Sequence, residues 1–145
     1  MTMEDYEALK LCNQLCFPLY AASKEVVRRY TPLLEELGLT YTQYIAMMVL
    51  WEKEEASAKE LGDRLYLDSG TLTPVLKSLE AKGYLVRCRK ATDERVLMCK
   101  LTDKGRDLRE KAIDVPHKIA SCVCLTQEEA AELYRLLYKV LGAKA

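Results

Sequence analysis

Histidine is nearly absent from this chain: His117 stands alone among 145 residues. A lone histidine is a poor start for a histidine-centred catalytic set or metal cage. Phenylalanine and tryptophan occur once each, and glycine (6) and proline (4) are scarce. No glycine-rich loop of the kind that cradles phosphates is present. No C-x-x-C precedes a helix and no Ser/His/Asp set is suggested, so no enzyme, catalytic residue or cofactor is expected. No apolar run is long enough to span a bilayer, and no secretory signal precedes the first helix. The expectation is a cytoplasmic protein with no membrane partner. Net charge is also lacking, with 22 basic against 22 acidic residues, which at first argues against a nucleic-acid partner.

Two residue types are in excess. Six cysteines without a secretion signal are expected to be reduced thiols, available for redox chemistry, metal binding or packing. Nine tyrosines against one phenylalanine suit a protein whose phenol hydroxyls do more than pack.

The run from Ser57 to Leu101 is the most organised part. Ser57 can cap a helix, with Glu60 three residues on completing a capping box; Ala58, Leu61 and Leu65 follow at helical spacing. After Tyr66-Leu67, either Asp68 or Ser69 can cap a second helix. That helix carries Leu72, Val75, Leu76 and Leu79 on one face and Ser69, Thr71, Thr73 and Lys77 on the other. Gly83 suits its C-terminal stop, and Pro74 predicts a local irregularity. Two strand-forming segments, 84–89 and 96–101, flank the polar turn 90–95, which is a hairpin pattern. Helix, turn, helix and basic hairpin together predict a winged helix-turn-helix, mainly α with a small β-hairpin. Small hydroxyls and a lysine on an exposed helical face suit base edges and phosphates in a major groove.

Charge distribution supports a double-stranded DNA partner where net charge does not. Between Leu76 and Arg106 nine basic residues face four acidic ones, a local balance of +5 against −5 for the remainder. A basic module on an acidic body is a footprint for phosphate contact.

The flanks read as helical. Residues from about Glu4 to Tyr30 suggest one long helix, bent at Pro18, with Cys16 in its middle. Thr31-Pro32 suggests the start of a short helix ending at Gly38. Thr40 or Thr42 caps the next, which carries Ile45, Met48, Val49 and Trp51. A helix from Asp103 to about Val115 stops at Pro116, and Thr126–Glu129 is a capping box for the last one. One domain is expected: residues 41–102 as the DNA-binding region, 1–40 and 103–145 as helical dimerisation regions. A homodimer would present two reading helices to a palindromic operator, spaced by one DNA turn of about 34 Å.

This order of elements resembles the MarR family of dimeric bacterial regulators over nearly the whole chain. Asp93-Glu94-Arg95 followed by Leu101-Thr102 is similar to that family's wing pattern. The resemblance implies that Arg95 enters the minor groove and that Asp93 pairs with it and orients it; Arg87 and Lys90 join the candidate DNA contacts. Asn13–Phe17, Leu19–Ala21, Tyr30, Pro32–Leu34, Leu39–Tyr41, Gln43-Tyr44 and Leu65–Pro74 look like OhrR, the branch that senses organic hydroperoxides. Pro18 departs from that branch's pattern.

The OhrR-like pattern implies that Cys16 is the peroxide-reactive, redox-sensing cysteine. It also implies that Tyr30 and Tyr41 of the other subunit, with Tyr20 nearby, support its thiolate. Oxidation would give a sulfenic acid that a second thiol traps as a disulfide; Cys122 and Cys124 fall where the two-cysteine members carry a resolving thiol. Cys88 and Cys99 read as packing residues, and Cys12 as a bystander or competitor. The implied function is a redox-sensing repressor that leaves its operator when Cys16 is oxidised by an organic peroxide. Two alternatives stay open: release by a small phenolic ligand, or by a soft metal gathered by Cys122, Cys124, His117 and the Cys12/Cys16 pair.

Overall fold

The computed structural model describes residues 2–142. Helix α1 spans Met3–Glu7 and is followed by a single 3₁₀ turn, Leu11–Asn13. Next come α2 (Cys16–Glu35), α3 (Tyr41–Lys53), the short strand β1 (Glu55–Ser57), α4 (Ala58–Leu65) and α5 (Ser69–Ala81). The hairpin is β2 (Leu85–Lys90) and β3 (Asp93–Leu101), followed by α6 (Asp103–Ala112), α7 (Val115–Cys122) and α8 (Gln127–Leu141). The fold is thus mainly helical with a small antiparallel sheet in the order β1-β3-β2. The chain forms two compact units, one up to Val115 and one from Pro116 onward.

Leu34, Met47, Leu50, Leu61, Leu76, Leu79, Leu85 and Cys99 are fully buried in the first unit. At about 1.5–3 kcal/mol per large apolar side chain, this cluster holds the helix pair α4–α5 against α3 and the sheet. The turn between α4 and α5 depends on two local devices. Tyr66 takes a left-handed conformation (φ 55) as the α4 cap. The Leu67 amide then folds back to donate to the Gly62 carbonyl at 3.0 Å. A Cβ on Gly62 would lie 2.9 Å from the Leu67 carbonyl oxygen, so the turn needs glycine there. Asp68, rather than Ser69, caps α5 by accepting from the Thr71 amide at 2.7 Å.

Several local expectations are corrected. The N-terminal segment is not one helix bent at Pro18. It breaks into α1 and the 3₁₀ turn, and α2 starts at Cys16. Pro18 therefore sits in the first turn of α2, where its missing N–H has no helical acceptor to lose. Asn13 and Gln14 stabilise the break: Asn13 donates to the Glu7 carbonyl (2.7 Å), and Gln14 to those of Ala8 (2.5 Å) and Lys10 (3.0 Å). Conversely, Thr31-Pro32 does not start a helix. Helix α2 runs through Pro32 to Glu35, because Tyr30, Leu33 and Leu34 pack on the core and offset the lost backbone bond.

Ser57 caps α4 by accepting from the Glu60 amide, but the Glu60 carboxylate turns to Lys53 instead of closing a capping box. Helix α5 is continuous across Pro74. The wing turn is tighter than its sequence suggests, because β3 begins already at Asp93. Pro116 does not end a helix but lies in the first turn of α7. Strand β1 was not expected; it pairs with β3, Ala56 opposite Cys99.

Candidate functional site

The exposed face of α5 carries Ser69, Thr71, Thr73 and Lys77, while Leu72, Leu76 and Leu79 are buried on the other. Binary patterning of the helix thus yields an exposed polar face backed by buried leucines. Asp68 ends this face, its carboxyl held below the usual range by the Thr71 amide and hydroxyl.

At the wing tip, the Arg95 guanidinium and amide both donate to Asp93, with Nε at 3.1 Å from Oδ1 and the amide at 3.0 Å. The Arg95 side chain is 91% exposed, so its fork is aimed outward by an acid that accepts both bonds. The Arg95 side chain, and then its amide, pull the Asp93 carboxyl below its ordinary value, with Lys90 adding to this. Lys90 is exposed beside the turn.

Arg87 is placed differently from the other candidate DNA contacts. Its guanidinium donates to Glu80 at 3.1 and 3.2 Å, and its amide to the same carboxylate at 2.7 Å. The side chain is only 22% exposed. Arg87 therefore fastens β2 to α5. A cavity of about 400 Å³ lies beside this clasp, lined among others by Lys59, Asp63, Leu72, Thr73, Arg87 and Leu97.

Cys16 is exposed and is the first residue of α2, not a mid-helix residue. The amides of a first turn have no helical acceptor, and a helix N-terminus favours negative charge. Leu15 precedes it with no side-chain cap. Tyr20, one turn on, is 60% exposed, with the Lys24 ammonium 5.1 Å from its ring centre.

Tyr30 and Tyr41 lie together, ring centres 5.0 Å apart, and Tyr30 also meets Tyr44 at 5.8 Å. Burial, with Tyr41 and Tyr44 adding to it, pushes the Tyr30 phenol up to about 12. Burial also raises Tyr41. Both phenols are therefore O–H donors throughout the neutral range. Tyr30 follows Cys16 by fourteen residues of one helix, roughly 21 Å at 1.5 Å per residue. Within one protomer α2 holds this thiol and this phenol apart.

Cys122 ends α7, its Sγ 3.4 Å from the Lys118 carbonyl oxygen, and Cys124 is exposed in the link to α8. Cys12 is exposed, Cys88 is exposed on β2, and Cys99 is buried on β3, its thiol pushed up to about 11 mainly by burial. Among the described residues no group of three or more His, Cys, Asp or Glu side chains is placed to hold a metal ion. No helix among them is long and apolar enough to cross a membrane.

The sequence marks Gln43 only as part of the OhrR-like pattern and assigns it no role. This buried side chain donates to Ser78 of α5 at 3.0 Å, and its carbonyl oxygen accepts from the Thr40 amide at 3.1 Å and the Lys82 ammonium at 3.0 Å. It links the start of α3, where Tyr41 sits, to α5. Thr40-x-x-Gln43 is a capping-box spacing and could have drawn attention to it.

Comparison with known proteins agrees with this geometry. The family model for transcriptional regulator SarA/Rot matches residues 28–112. The organic hydroperoxide resistance transcriptional regulator of Bacillus subtilis (strain 168) is 46% identical over 136 residues, covering 94% of this chain and 92% of the relative. Reduced AbfR bound to DNA is 35% identical with a TM-score of 0.79, covering 97% of this chain and 98% of that one. The disulfide form of AbfR, a protein of Staphylococcus epidermidis, is 36% identical with a TM-score of 0.65, covering 95% and 97%.

Proposed function

This chain belongs to the SarA/Rot family of MarR-type winged-helix transcriptional regulators, in its OhrR-like branch, and from that premise we propose that it is a repressor switched by oxidation of Cys16. It is a regulator and not an enzyme. The reduced homodimer binds a palindromic DNA operator. Ser69, Thr71, Thr73 and Lys77 of α5 enter the major groove, and Arg95, held by Asp93, enters the minor groove beside the wing. Arg87 acts indirectly, through Glu80, by fixing the wing to α5.

The observation that carries the switch is the placement of Cys16 at the start of α2 together with the Tyr30–Tyr41 pair near its other end. In a two-fold dimer, residue i meets j and j meets i. Antiparallel approach of two α2 helices therefore brings the phenols of each copy to the thiol of the other. The Cys16 thiolate attacks the distal oxygen of an organic hydroperoxide, the O–O bond breaks, and the leaving alkoxide takes a proton to become an alcohol. The resulting sulfenic acid condenses with Cys122 or Cys124 of the partner, releasing water and forming an intersubunit disulfide. That bond alters the separation of the reading heads.

The test starts from a palindromic duplex selected by the reduced protein from a random pool. Cumene hydroperoxide should release the wild type, followed by fluorescence anisotropy, and leave Cys16→Ser bound; release of Cys16→Ser refutes the assignment. Non-reducing gels on Cys122→Ser and Cys124→Ser separate the two resolving thiols. An undiminished crosslink in both discards the two-cysteine route. The cavity beside Thr73 and Arg87 favours one other reading, release by a small phenolic ligand. In that case salicylate would release Cys16→Ser and wild type alike.

A further inference from the structure

The face of the wing sheet turned away from the core carries a second thiol environment, distinct from that of Cys16. Alternation along a strand puts Val86 and Cys88 of β2 on one face, opposite to that of the buried Leu85. Cys88 lies across from Met98 on β3. Lys100, two residues on, shares that face and pairs with Glu55 of β1. A register shift between Arg89 and Lys90 lets Arg89 border the same space. Glu55, Cys88, Arg89, Lys90, Met98 and Lys100 line a cavity of about 260 Å³.

The charges in this cavity are unbalanced. Three cations line it against one carboxylate, and Glu55 lies 3.8 Å from Lys100. The Arg89 and Lys90 side chains make no ion pair among the described residues. Cys88 is exposed within this cationic setting. An accessible thiol surrounded by cations is where an anionic disulfide concentrates and where exchange is fast. Cys99, on the neighbouring strand but facing the core, is fully buried and serves as an internal control for an inert thiol.

We propose that Cys88 is a second modification site, which takes a carboxylate-bearing low-molecular-weight disulfide by thiol–disulfide exchange. The Cys88 thiolate attacks one sulfur of the disulfide; the S–S bond breaks, and the departing thiolate leaves with the electron pair and takes the proton that Cys88 gave up. Protein thiol and disulfide become a mixed disulfide and a free thiol, so the small disulfide is itself the oxidant. The adduct sets carboxylates among Arg89, Lys90 and Lys100. Its consequence, weaker DNA binding, rests on the DNA-binding reading above; the modification itself does not.

The experiment uses full-length Cys16→Ser protein, so that peroxide sensing plays no part. Oxidised glutathione, neutral hydroxyethyl disulfide and cationic cystamine are applied at equal concentration, and the Cys88 peptide is quantified by mass spectrometry. Oxidised glutathione should modify Cys88 about ten-fold faster than cystamine. This preference should collapse at 1 M salt and in the Lys90→Gln/Lys100→Gln double variant. Equal or reversed rates overturn the site.

In the second arm, the glutathione adduct should bind the selected duplex more weakly, with a salt slope reduced by about 1, while Cys88→Ser given the same treatment is unchanged. Unchanged binding by the adduct overturns the regulatory consequence. Failure of unmodified Cys16→Ser to bind DNA counts against the DNA-binding reading and leaves the exchange rates to decide the site.

Discussion

Tyr30 shows how a single residue's environment makes its chemistry readable. Its phenol, raised to about 12 mainly by burial, stays protonated where a thiolate needs a donor. A phenol held neutral in the fold contributes stability that is fully present below pH 10, the unfolded value, and is lost as pH rises through 12. Urea midpoints should therefore fall between pH 10 and 12 more steeply for the wild type than for Tyr30→Phe; parallel curves would contradict the burial argument. At the wing, Arg95→Ala should weaken duplex binding by about 1–3 kcal/mol. Asp93→Ala should move affinity in the same direction by less, because the guanidinium is kept but no longer aimed. A competition binding assay distinguishes the two, and an Asp93→Ala variant that binds more tightly would refute the orienting role. The candidates on α5 were legible because each is polar on a face opposite to leucines. The pairing of Arg87 with Glu80 was not, since seven residues across a turn give no periodic signal.

Among the elements, the prolines were the hardest to read. Pro18 suggested a bend and Pro32 a beginning, yet α2 begins just before the first and runs through the second. The difference lies in tertiary packing: residues around Pro32 bury against α3, while those before Pro18 are exposed and find side-chain acceptors and donors locally. That shift moved Cys16 from a helix interior to a helix start, which alters the physical case for its thiolate. The β1 strand was invisible because three residues have no meaning without β3.

Gly105 gives a sharp test at this scale. Its carbonyl accepts from the Trp51 indole at 2.8 Å, and a Cβ there would meet the Tyr84 carbonyl oxygen at 2.1 Å and Leu101 at 2.8 Å. Gly105→Ala should cost about 1–3 kcal/mol by overpacking, read from chemical denaturation; a neutral effect would mean that α6 shifts freely against the sheet. Gln43→Met should cost a similar amount, about 1–3 kcal/mol, by leaving Ser78, Lys82 and the Thr40 amide short of a partner. It should also blunt the peroxide response of duplex binding if the α3–α5 link carries the movement.

For the whole molecule, the winged helix and its charge were legible from order and composition, and the proposal of a dimer rests on apolar surface without an internal use. Leu15, Phe17, Leu19 and Tyr20 are exposed near the start of α2, and Leu133, Leu136, Val140 and Leu141 on α8. Large exposed apolar faces mark association sites. Leu19→Glu should shift the protein toward monomer in sedimentation equilibrium and lower duplex affinity with it; an intact dimer would remove α2 from the interface.

The central claim is that oxidation of Cys16 is the event that ends DNA binding. Rapid-quench mass spectrometry of the Cys16 peptide, run beside anisotropy of the bound duplex after one equivalent of cumene hydroperoxide, measures both at once. Loss of the Cys16 thiol should precede or coincide with DNA release at every peroxide concentration. Release while Cys16 is still a thiol would contradict the account.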